Sequence, residues 1–155
     1  MGAPDPTLKP KSVLFACGQN SVRSPMAAAL ARQMFAGVLR IASAGVRKGE
    51  PDWFAVAVMA EIGIDMAEHQ PMTFEELEDL DGLDFDLIVT LAPEAHHQAL
   101  KLTDRLTAAV EYWPTPDPTA VEGNREQRLD AYRAVRDQLL ARIKRRFATS
   151  PPSNE

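Results

Sequence analysis

The sequence predicts an α/β fold, a doubly wound four-stranded parallel sheet in the strand order 2-1-3-4 with helices on both faces. Short apolar runs of strand length alternate along the chain with segments of helical periodicity. This alternation is typical of parallel strands joined by right-handed crossovers. No internal repeat interrupts it, so we expect one domain over residues 11–148, with disordered segments at 1–10 and 149–155.

The first half of the domain is predicted to contain two strands and two helices. A buried strand at Ser12–Ala16 is followed by a turn. Ser24 ahead of Pro25 indicates a helix start, with Ser24 as the N-cap and Pro25 in the first helical position, and Gly37 ends that helix. The next strand and helix are predicted at Leu39–Ser43 and Trp53–Ile62.

The second half adds two strands and three helices. A helix over Thr73–Leu80 begins with Thr73 as its cap and Glu76 three residues later. A strand at Phe85–Leu91, a helix at Pro93–Leu102 and a strand at Ala108–Trp113 follow. Asn124 with Gln127 opens the last helix, whose apolar face is predicted to be Leu129, Tyr132, Val135, Leu139, Ile143 and Phe147.

Composition excludes several classes of function. The net charge of -5 argues against a general affinity for nucleic acid or anionic membranes. No segment is long and apolar enough to span a bilayer, and the N-terminus lacks the apolar region of a secretory signal. A single cysteine excludes an internal disulfide and favours a cytoplasmic location.

The segment from Cys17 to Arg23 joins the first strand to the first helix. Ligands of doubly wound sheets bind beyond the carboxyl ends of the strands, where the strand order reverses, and the first strand flanks that point. A loop that closes on a helix N-terminus directs backbone N–H groups and the helix dipole toward an anion. We therefore expect an oxyanion site formed by Gly18, Gln19, Asn20, Ser21, Val22, Arg23 and Ser24.

The residue types in this loop indicate covalent catalysis. The planar guanidinium of Arg23 can hold two oxygens of a tetrahedral oxyanion. Cys17 lies in the same positive field, which favours its thiolate, and Ser24 can donate a hydrogen bond to the sulfur. Together they describe a reaction through a phosphocysteine. The alternative, a small buried cysteine beside a surface arginine, does not explain the strand–turn–helix setting.

The segment Cys17–Pro25 resembles the Cys-x5-Arg-Ser-Pro signature of the low-molecular-weight protein tyrosine phosphatases and the related thiol-dependent arsenate reductases. The resemblance covers about Ser12–Phe147 and includes residues 43–45, 63–65, 85–88 and 113–118. It implies a phosphatase I-like fold. It also implies that the chain hydrolyses phosphomonoesters, protein phosphotyrosine or a related substrate, without a cofactor.

The same resemblance assigns roles outside the loop. Asp117 follows the fourth predicted strand, at the same sheet edge as Cys17, and the prolines on both sides stiffen its backbone. The resemblance implies that Asp117 is the general acid and then the base that activates water. It also implies that Asn20 and Ser43 bond to each other and hold the loop, a role that suits the tolerance of Asn for left-handed angles.

The chain departs from the phosphatase pattern in several positions. Gln19 stands where the family usually has glycine, and Val22 where its phosphatases often have a second cysteine. Residues 119–121 replace tyrosines that wall the phenyl pocket, and 47–49 replace a further aromatic residue. Residues 91–93 lack an acidic residue that the phosphatases tend to carry. Fewer aromatic contacts should weaken a preference for phosphotyrosine.

Three functions remain open. The first is a cytoplasmic phosphatase whose partners are a phosphorylated protein or a small phosphomonoester. The second is an arsenate reductase that depends on an external small thiol, because the chain has no further cysteine to relay electrons. The third is a non-catalytic protein that binds phosphate-like oxyanions, although such a protein needs no acid at Asp117. We expect a solvated His69 and, without Cys or carboxylate at ligand spacing, no metal site at His96 and His97.

Overall fold

The four strands form one sheet of parallel neighbours in the order β2-β1-β3-β4, which confirms the predicted fold class and topology. The computed structural model describes residues 9–148. The strands are β1 (Ser12–Cys17), β2 (Arg40–Gly45), β3 (Leu87–Thr90) and β4 (Ala109–Tyr112). The segments predicted to be disordered lie outside the described residues, apart from Lys9 and Pro10, and Pro10 is buried.

Within residues 9–148, five helices connect and follow the strands. They are α1 (Arg23–Phe35), α2 (Trp53–Ala60), α3 (Phe74–Asp81), α4 (Pro93–Leu102) and α5 (Arg125–Phe147), and a 3-10 turn at Pro118–Ala120 precedes α5. The capping boxes predicted from Thr73 with Glu76 and from Asn124 with Gln127 are both present. No helix within residues 9–148 is long and apolar enough to cross a membrane.

The predicted start of the first helix was wrong. Helix α1 begins at Arg23, and its N-cap is Val22, which makes no side-chain capping bond. Ser24 lies inside the first turn because its buried hydroxyl contacts Cys17 and Asn20 instead of capping the helix. Pro25 is tolerated there because the first N–H groups of a helix have no acceptor within it.

Two apolar cores cover the two faces of the sheet. Alternate residues of β1 point to opposite faces, so Phe15 packs with α1, α2 and α5 while Leu14 packs with α3 and α4. The predicted apolar face of α5 lies in the first core, with Phe147 partly buried at its end. This packing holds β1 in the middle of the sheet, so that its carboxyl end is fixed at Cys17.

A buried ion pair fixes the last strand to the last helix. Arg146 donates to Glu111 Oε2 from Nε at 2.9 Å and from Nη2 at 2.7 Å, and its Nε also donates to Oε1 at 3.1 Å. Trp113 Nε1 donates to the same Oε1 at 3.1 Å. Cations at the end of a helix are usually solvated, but Arg146 is not. Its side chain is only 14% exposed.

Truncation of a leucine in α5 should measure the contribution of the larger core. Leu139 is 1% exposed, so Leu139→Ala is expected to lower the free energy of unfolding by about 2–5 kcal/mol. Leu80→Ala is the matched control, because Leu80 is 73% exposed and its truncation should change stability by about 0.5 kcal/mol or less. Urea denaturation measures both, and equal losses would contradict the assignment of Leu139 to the core.

Candidate active site

The loop between β1 and α1 is held from outside through its carbonyl oxygens. Backbone N–H groups of the segment after β2 donate to successive carbonyls: Val46 to Cys17 (3.2 Å), Arg47 to Gly18 (2.8 Å) and Gly49 to Gln19 (3.0 Å). The C=O and N–H of a trans peptide point to opposite sides of the chain. The N–H group that follows each of these carbonyls therefore points away from that segment, as an anion nest requires.

Asn20 is the buried centre of the loop. Its φ of 56° is left-handed, a conformation that Asn tolerates better than most residues. Its Nδ2 donates to Ser24 Oγ and to Ser43 Oγ, both at 2.9 Å, and its Oδ1 accepts from Met72 N at 2.9 Å. The predicted hydrogen bond between Asn20 and Ser43 is thus present, and both ends of the Asn20 amide are engaged.

Two hydrogen-bond donors face the sulfur of Cys17. Ser24 Oγ lies 3.0 Å from Cys17 Sγ, and the backbone N–H of Ser24 donates to the same sulfur at 3.4 Å. Because Ser24 Oγ accepts from Asn20, the hydroxyl proton is free to point at the sulfur, and the other acceptor in range, Ala44 O, is 3.5 Å away. Donation from both groups stabilises a negative charge on the sulfur.

Arg23, at the end of the loop, approaches Asp117 in the segment after β4. Arg23 Nη1 donates to Thr115 O at 2.8 Å, and its Nη2 lies 4.0 Å from Asp117 Oδ2. Asp117 Oδ1 accepts from the backbone and the hydroxyl of Thr119, at 3.0 and 2.7 Å. These bonds fix Oδ1 and leave Oδ2 directed toward Arg23. The Asp117 side chain is 46% exposed, so it remains accessible to solvent.

A cavity of about 110 Å³ brings the predicted residues together. It is lined by Cys17, Gly18, Gln19, Ser21, Val22, Arg23, Arg47, Asp52, Glu94, Asp117 and Thr119. Asn20 and Ser24, which were predicted to contact the oxyanion, are fully buried and do not line it. They hold the loop from behind, as Ser43 does.

Gln19 fits this loop because Gly49 has no side chain. A Cβ atom on Gly49 would lie 2.8 Å from Gln19 Cβ and 2.5 Å from Ser21 Oγ. Gly45 permits a second close approach, since a Cβ there would lie 2.8 Å from Asn20 N. The segment after β2 therefore packs directly against the loop, and the larger residue at position 19 occupies the space that Gly49 leaves open.

Arg47 and Glu94 form an ion pair in the lining that the sequence analysis did not assign. Both guanidinium Nη atoms of Arg47 donate to the Glu94 carboxylate, one of them at 3.1 Å. These bonds lower the pKa of Glu94 and raise the pKa of Arg47. Residues 91–93 lack an acid, but Glu94 supplies one in the first turn of α4. The signal available in the sequence was an acid directly after the helix-starting Pro93.

His69 also belongs to the support of the loop, contrary to the expectation that it is solvated. It is partly buried, and its Nε2 lies 2.8 Å from Asn20 O. That carbonyl can only accept, so the neutral ring carries its proton on Nε2. Burial lowers the pKa of His69, and this effect outweighs the opposing contribution of the bond to Asn20. No local sequence signal links His69 to a residue so distant in the chain.

The sheet order and the loop from Cys17 to Arg23 place this chain in the phosphatase I-like class, whose members carry a Cys-x5-Arg loop at the carboxyl end of the first strand. A model of the family "Low molecular weight phosphotyrosine protein phosphatase" matches residues 12–149. The chain belongs to this family, and it is an enzyme of the corresponding superfamily.

Similar proteins include both reductases and phosphatases. The arsenate reductase of Shouchella clausii is 33% identical over 135 residues, which are 87% of this chain and 94% of that protein. The structure of an arsenate reductase in the phosphate binding state has a TM-score of 0.67 and 28% identity, and the match covers 89% of this chain and 97% of that one. The tyrosine phosphatase Wzb from Escherichia coli K30, in complex with sulphate, shares the fold, with a TM-score of 0.69, 22% identity and coverage of 87% and 94%.

The buried His69 should make stability depend on pH. The unfolded chain binds a proton at His69 near pH 6.5, whereas the folded chain binds it only at lower pH. The unfolded state therefore binds more protons below about pH 6.5, and stability should fall as the pH is lowered from there through the folded pKa. Above pH 6.5 this contribution should be constant.

Urea denaturation at pH 7.5 and 5.5 tests this dependence. His69→Gln keeps an N–H donor but cannot titrate, so its loss of stability between the two pH values should be smaller than that of the wild type. His97→Gln, on the exposed side of α4, is the matched control for removal of a histidine. The same loss in His69→Gln and in the wild type would contradict the assignment.

Proposed function

We propose that this protein is an arsenate reductase in which Cys17 forms a covalent adduct with arsenate and an external low-molecular-weight thiol completes the reduction. The cavity above Cys17 carries this proposal. It is small, its lining is largely polar and charged, and within residues 9–148 no aromatic side chain contributes to it. Such a site suits a bare tetrahedral oxyanion better than an aryl ester. The relatives named as arsenate reductases support the same choice.

The first step joins sulfur to arsenic. The Cys17 thiolate attacks As(V), an S–As bond forms, and one As–O bond breaks. The departing hydroxide takes a proton from Asp117 and leaves as water, while Arg23 and the loop N–H groups hold the remaining oxygens. The hydrogen bonds from Ser24 stabilise the sulfur before the attack and are weakened once its charge is lost.

The second step needs two electrons from thiols. The chain has one cysteine, so the second sulfur must come from an external thiol such as glutathione. Its thiolate attacks Cys17 Sγ, the S–As bond breaks, and the electron pair stays on arsenic, which becomes As(III). A second thiol then releases Cys17 from the mixed disulfide. Overall, arsenate and two thiols give arsenite, one disulfide and one water.

Arsenite formation should require both Cys17 and the external thiol. Wild-type protein with arsenate and glutathione is expected to release arsenite over many turnovers, measured by separation of arsenic species. Cys17→Ser should release none above background, and wild type without thiol should likewise release none. In a parallel assay, thioredoxin with its reductase replaces glutathione. Less arsenite is expected in this assay if the enzyme requires a low-molecular-weight thiol. Thiol-independent release, or release by Cys17→Ser, would rule out the mechanism.

Phosphomonoester hydrolysis is the second candidate, and the position of Asp117 favours it. An acid that lines the cavity, with its Oδ2 4.0 Å from Arg23 Nη2, can protonate the leaving oxygen of an ester. The resulting phosphocysteine would be hydrolysed by water that the same carboxylate activates. Neither step needs an external thiol, so the two candidates differ in a single reagent.

Replacement of Asp117 should reveal its role in proton transfer. Asp117→Asn is expected to slow hydrolysis of phenyl phosphate, a poor leaving group, by about 10²–10⁴-fold, and of para-nitrophenyl phosphate much less. Asp52→Asn is the matched control, because Asp52 lines the same cavity but its carboxylate is occupied by Tyr132 and by two N–H groups of α2. Equal slowing of both substrates by Asp117→Asn would remove it from the acid role.

A further inference from the structure

The Arg47–Glu94 ion pair bridges two loops across the end of β1. Arg47 follows β2, Glu94 lies in the first turn of α4 after β3, and β1 lies between these two strands in the sheet. Both loops are fastened to the end of β1 by backbone bonds, from Val46 N to Cys17 O at 3.2 Å and from Leu91 N to Ala16 O at 2.8 Å. The side-chain pair therefore spans the position of the nucleophile.

Both charged groups lie against the residue next to Cys17. A Cβ atom on Gly18 would collide with a carboxylate oxygen of Glu94 and would lie 3.4 Å from Arg47 Nη2. Glycine at position 18 thus leaves room for the pair at the mouth of the cavity. The two residues line the cavity together with Cys17, and Asp117 and Thr119 line it from the loop after β4.

We propose that the Arg47–Glu94 pair is a specificity-determining gate that admits compact oxyanions and excludes esters with a bulky substituent. The inference rests on the proposed function and names how the site chooses its substrate. A substituent on a bound oxyanion has to extend out of the cavity past its lining, which includes the paired side chains of Arg47 and Glu94. The pair is half-exposed on both sides, and a surface ion pair of this kind contributes little to stability.

The ion pair also explains how the carboxylate of Glu94 can lie beside an anion site. Glu94 alone would repel an incoming oxyanion, whereas the bidentate bonds to Arg47 neutralise it. Loss of either partner should therefore change general anion affinity as well as access. The ratio of affinities for a small and a bulky anion isolates access, because the change in general charge affects both alike.

Binding measurements on a protein without the nucleophile test the gate directly. In a Cys17→Ala background, the dissociation constants for inorganic phosphate and phenyl phosphate are measured by calorimetry. Glu94→Gln and Arg47→Met should each shift the ratio toward phenyl phosphate by about tenfold. The exchanged pair, Arg47→Glu with Glu94→Arg, should restore much of the original preference.

A second surface pair supplies the matched control. Arg105 donates to both oxygens of Glu78 at 2.7 and 2.8 Å, and neither residue lines the cavity. Glu78→Gln should leave the ratio unchanged. An unchanged ratio in Glu94→Gln and Arg47→Met, or failure of the exchanged pair to restore it, would overturn the gate.

Failure of the proposed function would look different. If arsenite is not released but the affinity ratio shifts as expected, arsenate reduction is wrong and the gate stands. If arsenite is released but the ratio does not respond to either variant, the gate is wrong and the reductase stands. If the Cys17→Ala protein binds neither phosphate nor phenyl phosphate, the oxyanion site itself is refuted, and the gate with it.

Discussion

The hydrogen bonds of the buried Asn20 side chain are the constraint on which the loop depends. The side-chain amide bonds to Ser24, Ser43 and Met72. The backbone carbonyl of Asn20 accepts a hydrogen bond from His69. These partners come from the first helix, the second strand and the segment before α3, so one side chain aligns three parts of the fold. The same bonds orient the Ser24 hydroxyl toward Cys17. A left-handed backbone at a residue other than glycine costs free energy, and it persists only where surrounding bonds fix it, as they do at Asn20.

Much of the fold could be predicted because its signals are local. The alternation of strands and helices indicated a doubly wound parallel sheet, whose expected order the structure has, and the two capping boxes marked helix starts to the residue. The Cys17–Arg23 loop was likewise contiguous, so its position at the end of β1 followed from the topology. The Asn20–Ser43 bond came from the family resemblance, since no spacing rule links two residues so far apart.

What the sequence did not predict depends on contacts between distant segments. Ser24 has the residue type of a helix cap, but its hydroxyl bonds to a sulfur and an amide that only the folded loop brings near. Arg47 and Glu94 were each plausible as solvated charges, and they become a pair only because β2 and β3 flank β1. Burial of His69 and Arg146 has the same origin, in packing that no short window of sequence encodes.

The attachment of residues 46–49 to the Cys17 loop has a consequence for how this family member can vary. Surface loops usually accept insertions and deletions, because their backbone is bonded to water. Here the N–H groups of Val46, Arg47 and Gly49 donate to three successive carbonyls of the loop, with residue 48 passed over. One added or removed residue would displace every later match and rotate the peptide planes beneath the oxyanion. The length of this exposed segment is therefore as tightly constrained as that of a central strand.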